Sequence, residues 1–128
     1  MSGWIDLVGR CALAQLFLLA GLQKLTDYGG TQQYMHSAGV PGLLLPLVML
    51  LELGGGVALI VGWQTRLAAA ALAVFCVLAA LLFHAHFGDE MQSIMFMKNI
   101  AIAGGLAVLA ARGAGGMSLD ARVSRRSR

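Results

Sequence analysis

Eight side chains capable of hydrogen bonding or proton transfer stand inside otherwise apolar stretches of this sequence: Arg10, Gln15, Lys24, Glu52, His84, His86, Lys98 and Asn99. A charge at the centre of a membrane helix costs about 2.5–3.5 kcal/mol on insertion scales, so such residues turn inward and find partners. Arg10 and Lys24 are fourteen residues apart, close to four helical turns, and share a face with Phe17 and Gly21. That spacing separates them by about 21 Å, one towards each end of a helix. Glu52 lies ten residues before Gly62, near mid-depth of its own run. Alone in lipid a carboxyl takes up a proton; beside Arg10 or a lysine it stays ionised. It is therefore read either as half of a structural ion pair or as a proton-handling, ligand-orienting group.

Assembled by depth, Lys24, His84, His86, Lys98 and Asn99 form a polar cluster at one end of the molecule, with Glu52 below it and Arg10 approaching from the other side. His84 and His86 are two apart and point about 200° from each other on a helix, so they share a site only where the helix has ended. Haem ligation would need a second axial ligand at matching depth, and the remaining histidine, His36, lies in a connecting segment. A quinone head group asks less: one or two donors such as His84, Asn99 or Lys98 beside an apolar slot. The methionines of 91–97 and the two cysteines, Cys11 and Cys76, read as apolar filling, with no metal site among them. No phosphate loop, triad or carboxylate pair is present, so no catalytic residue is assigned.

The elements that must hold these groups follow from composition. Of 128 residues 59% are hydrophobic and 12% charged, with a mean hydropathy of +0.78. Soluble domains carry roughly 45–50% apolar and about 25% charged residues. Four runs are long enough to cross a bilayer, about 4–25, 43–62, 67–87 and 93–111. Unsatisfied backbone is excluded from lipid, so the runs are helices. The expected fold is all-α, a transmembrane four-helix bundle running up-down-up-down over residues 1–112. The segment 26–42 reads as a seventeen-residue loop, and 113–128 as a basic, partly disordered tail in which Ser118–Asp120 starts a short turn. No signal peptide is read at the N-terminus, because Arg10 interrupts its apolar run and no basic segment precedes it.

With four spans, both termini share a side with the turn at 63–66. That side holds Arg66, Arg112, Arg122, Arg125, Arg126 and Arg128, with Arg10 just within; the other holds Lys24 and Lys98. The positive-inside rule places both termini in the cytoplasm. The basic tail suits anionic lipid headgroups, or a protein partner in the membrane or cytoplasm; without interleaved aromatics it does not suit nucleic acid. Gly54, Gly55, Gly56, Gly62, Gly104 and Gly105 mark close helix contacts. Each of two hairpins starts with an arginine and ends in a glycine-rich span, which hints at duplication.

The sequence resembles the DoxX-like family of small four-helix membrane proteins. The resemblance is carried by Arg10 through the run from Phe17 to Lys24, Tyr34 to Pro41, Glu52 to Gly56, Gly62 with Arg66, His84 to Phe87, Asn99 with Gly104 and Gly105, and Ser118 to Asp120. It implies a bacterial inner (plasma) membrane protein, with some relatives linked to thiosulfate:quinone oxidoreduction and others to oxidative-stress complexes. It carries over Arg10, Lys24, Glu52, Arg66, His84 and Asn99 as site positions. The expected function is the membrane component of a quinone- or sulfur-linked redox system. The alternative is a scaffold, chaperone or small-solute conduit whose polar residues are structural.

Overall fold

The computed structural model describes residues 2–127. Among them the chain is helical and contains no strand: α1 (Ser2–Thr26), α2 (Tyr28–Ser37), α3 (Leu45–Val61), α4 (Thr65–Phe83), α5 (Glu90–Arg112) and α6 (Leu119–Arg126), with a 3-10 turn at Gly42–Leu44. Four segments are long and apolar enough to cross a membrane: Gly3–Thr26, Gly42–Val61, Thr65–Phe83 and Glu90–Arg112. They form the expected four-helix bundle, with α1 packed on α3, α3 on α4, and α4 on α5. Leu22, Leu50, Leu67, Leu78 and Val108 face outward. In water this would be a large unpaired apolar surface; lipid covers it without cost.

The helix ends differ from the sequence reading for identifiable reasons. Helix α4 stops at Phe83 rather than near Phe87: the His84 N–H still returns to the Ala80 carbonyl at 3.1 Å, and a turn from His86 to Asp89 follows. Helix α5 starts three residues before Ser93, because Asp89 caps it by accepting the Met91 N–H at 3.0 Å. The supposed loop 26–42 contains α2, closed by Gly39 at φ +79. The tail is ordered through residue 127: Ser118 caps α6 by accepting the Ala121 N–H at 3.1 Å.

The core is a layer of Ala14, Phe17, Leu59, Ala69, Leu72, Cys76, Ala103 and Leu106. A second cluster of Met35, Leu45 and Met49, with Val40 and Phe83 against it, fastens α2 to the bundle end away from the termini. Glycine sets the helix separations. A Cβ on Gly21 would meet Leu53 at 2.6 Å, one on Gly56 would meet Leu18 at 2.9 Å, and one on Gly55 would meet Leu72 at 3.0 Å. Gly54 and Gly104 face open space, so they are not contact residues. Cys11 and Cys76 are both free thiols.

Candidate functional site

Helix α1 carries one inward stripe, spaced four, three, four and three: Arg10, Ala14, Phe17, Gly21 and Lys24. All are buried except Lys24, which is partly exposed. The two charged ends of the stripe have different surroundings.

Arg10 is 1% exposed. Its Nη1 donates to the Leu59 carbonyl at 2.8 Å and to that of Ile60 at 3.0 Å, and its Nη2 donates to the Met117 carbonyl. The last carbonyls of α3 have no helical partner and sit at the negative end of the helix dipole, so a guanidinium there does the work of a C-cap. On the other side of the turn, Asp120 accepts the Gln64 N–H at 2.8 Å and the Thr65 N–H at 2.9 Å. Those are orphan donors at the start of α4, and a carboxylate there is favourable for the reciprocal reason. The Asp120 N–H completes the clamp on the Gly62 carbonyl at 2.8 Å. Burial tends to raise the Asp120 pKa, but hydrogen bonds from Thr65 and Gln64, with the charge of Arg10, outweigh it and hold this carboxyl below its ordinary value. Arg10 thus does not approach Glu52; backbone carbonyls take its Nη1 and Nη2 donors, and its buried Nε has no partner among the described residues.

At the opposite end, Lys24 Nζ stands 2.8 Å from Glu52 Oε1, the one ion pair among the described residues. Glu52 is 3% exposed and Lys24 25%. The close approach at Gly21 brings α1 and α3 together one turn below this pair. Above it lies an open cavity of about 510 Å³, lined by Gln23, Lys24, Asp27, Thr31 and Tyr34 among others. The ammonium is part of the cavity wall, and its carboxylate partner sits behind it. Tyr34 stacks on Phe83 with ring centroids 5.3 Å apart, and Phe83 is followed by His84, centroids 6.5 Å apart.

The remaining expected residues are placed separately. His84 lies at the end of α4 and bonds Gln92 through Nδ1 at 2.7 Å. Asn99 turns back on its own helix, its Nδ2 donating to the Met95 carbonyl at 3.1 Å. Lys98 and His86 are exposed, as is Gln15. No hydrogen bond or ion pair among the described residues joins His84, Lys98 or Asn99 to Lys24 or Glu52. Arg66 lies at the other end of the molecule and donates to the Arg112 carbonyl at 3.3 Å, the last residue of α5. It repeats on the second hairpin what Arg10 does on the first. Gln23, Asp27, Thr31 and Tyr34 were not expected in a site. Their signal was present in the spacing: once 28–37 is helical, Asp27, Thr31 and Tyr34 fall on one side of it.

Comparison with known proteins gives a consistent result. A family model described as DoxX matches residues 5–85. The Escherichia coli (strain K12) inner membrane protein YqjF is 51% identical over 114 residues, covering 89% of this chain and 88% of its own. Inner membrane protein YphA of the same organism is 33% identical over 124 residues, covering 91% and 88% respectively. No solved structure matches.

Proposed function

The chain belongs to the DoxX family, and from that premise we propose that it is an inner-membrane, ligand-binding component of a redox system that takes up a quinone-type head group beside Lys24. The observation carrying this reading is an ion pair left half open. Lys24 keeps a quarter of its side chain exposed at the wall of a cavity large enough for a small ligand, while Glu52 is enclosed behind it. An ammonium so placed donates to a carbonyl oxygen, and the adjacent carboxylate can hold or pass the proton that a reduced head group gains or loses. Tyr34, stacked on Phe83, offers an aromatic face beside the same cavity. The Lys24 charge would also attract a small sulfur oxyanion such as thiosulfate.

The test is calorimetric titration of the full chain in nanodiscs with a short-chain quinone and, separately, with thiosulfate. Wild type binds one of the two, and Lys24→Met weakens that binding at least about tenfold, or about 1.4 kcal/mol. Absence of heat with both ligands overturns the proposal.

A second reading is favoured by the Arg10 clamp: the buried charges hold the bundle together and the protein is a scaffold. It predicts that Glu52→Gln lowers the unfolding temperature while leaving any ligand titration unchanged. In both readings the termini lie in the cytoplasm, supported by the bias of Lys and Arg. Paired C-terminal fusions to a fluorescent protein and to alkaline phosphatase test this; an active phosphatase fusion would reverse the orientation.

A further inference from the structure

We infer that the cleft between α6 and the ends of α1 and α3 is a site for one anionic phospholipid, whose phosphate is held by Arg122 and Arg125. The cleft, about 500 Å³, is lined by Leu7, Val61, Met117 and Leu119 along its apolar wall and by the two arginines at its mouth. This pairing of an apolar wall with a basic mouth is the chemistry of a lipid whose acyl chain and headgroup are bound together. It is independent of the Lys24 cavity, which lies at the opposite end.

Three observations set the depth and charge of the site. First, α6 is pinned to the turn between α3 and α4 by the Asp120 N–H on the Gly62 carbonyl and by the Asp120 carboxylate on Gln64 and Thr65. It therefore starts at the level where the spanning helices end and cannot drift into bulk water. Second, Trp4 and Trp63 are both exposed at this end, as expected of side chains at the headgroup level. Leu119 and Val123 on α6 are exposed as well, and at that depth acyl chains are available to cover them. Third, neither arginine has an ion-pair partner among the described residues, and the nearby Asp6 carboxylate lies against Gly115. The ion pair among the described residues is Lys24 with Glu52, and the Asp120 carboxylate is already engaged by Gln64 and Thr65. Arg125 spends donors on the Ala121 and Gly116 carbonyls, each at 3.3 Å, which orients its guanidinium without neutralising it. A phosphodiester supplies the missing anion and accepts from a planar fork.

Native mass spectrometry of the detergent-solubilised full chain, offered equal phosphatidylglycerol and phosphatidylcholine, reads the site directly. Wild type retains one phosphatidylglycerol in preference. Arg122→Gln/Arg125→Gln reduces that preference at least about tenfold. Arg126→Gln, which loses a charge outside the cleft, keeps most of it. Equal retention of the two lipids by wild type overturns the site. So does an equal fall in Arg126→Gln and Arg125→Gln, because diffuse charge would then suffice. If the double variant fails to fold by circular dichroism, Leu7→Trp, which fills the cleft without changing charge, displaces the lipid; retention in that variant overturns the site equally.

Discussion

The two hairpins of the bundle, α1 with α3 and α4 with α5, are built on one plan and finished differently. In each, an arginine near the start of the first helix caps the last carbonyls of the second, Arg10 on Leu59 and Ile60 and Arg66 on Arg112. In each, a glycine in the left-handed region follows, Gly62 at φ +73 and Gly113 at φ +87. In the first hairpin the arginine is buried, a tail segment closes over it, and the far end carries Lys24, Glu52 and the lid-like α2. In the second the arginine is exposed, the connection is short, and Lys98 reaches outward without an ion-pair partner among the described residues. The first hairpin buries two charged side chains, Arg10 and Glu52, while the second buries none among the described residues. A polar residue's type does not decide which role it takes; the depth of its neighbours does.

The sharpest way to break this contrast is to remove the two arginines in parallel. Arg10→Ala leaves the buried Leu59 carbonyl and the partly buried carbonyls of Ile60 and Met117 without their donor and should cost on the order of 3 kcal/mol. Arg66→Ala, at an exposed bond of 3.3 Å, should cost about 1 kcal/mol or less. Thermal unfolding in one detergent compares them, and similar losses would erase the distinction. Arg10→Lys should recover only part of the stability, since a single ammonium cannot reproduce the fork.

The paired glycines come next. Alanine at either costs about 1–3 kcal/mol for its positive φ. At Gly62 the new Cβ would also run into Ser118 Cβ and fall 2.7 Å from Arg10 Nη1, whereas at Gly113 it meets the flexible Arg66 at 3.1 Å. Gly62→Ala should therefore release the tail and expose residues 113–127 to limited proteolysis, and Gly113→Ala should not.

Of the two lysines in the bundle, Lys24 is paired with Glu52 and Lys98 is not. Glu52→Gln, which leaves the Lys24 charge without its counterion, should destabilise by about 1–3 kcal/mol. Lys98→Gln should stay within about 0.5 kcal/mol in the same unfolding experiment. Equal effects would mean that the pair contributes nothing specific.

The smallest effect concerns acid. Asp120 has a lowered pKa in the folded protein, so its contribution is present above the ordinary aspartate value, 3.8, and is lost as pH falls through the lower folded value. The stability gap between wild type and Asp120→Asn, about 0.5–1 kcal/mol at pH 6 for the lost carboxylate charge at the start of α4, should narrow as pH falls below 3.8. A gap that stays constant across that range would remove Asp120 as the titrating group.

These contrasts also explain what was readable in advance. The four spans and the α1 stripe follow from hydropathy and from a spacing of three and four, both local properties. That Glu52 meets a lysine was one of the options open in the sequence; that Arg10 meets carbonyls was not, because its partners are 49, 50 and 107 residues away. Helix α2 was hidden by the glycines and glutamines of Tyr28–Ser37, and it is fixed by Met35 entering the cluster with Leu45 and Met49. The order of the tail was concealed by its glycines and arginines, since Asp120 finds its donors on α4 and not nearby. His84, Lys98 and Asn99 share a depth with Lys24 in the sequence reading, but depth alone does not set direction around a helix.

The clamp at Gly62 has a consequence for how the protein is made. Met117, Ser118 and Asp120 leave the ribosome after every spanning helix has been synthesised, yet they complete the seal over a guanidinium planted in the first of them. Until then, Arg10 has only its own hairpin to satisfy it. Closure of the clamp is therefore a late step, and released chains terminated at Gly116 should be degraded faster by membrane quality-control proteases than the full chain.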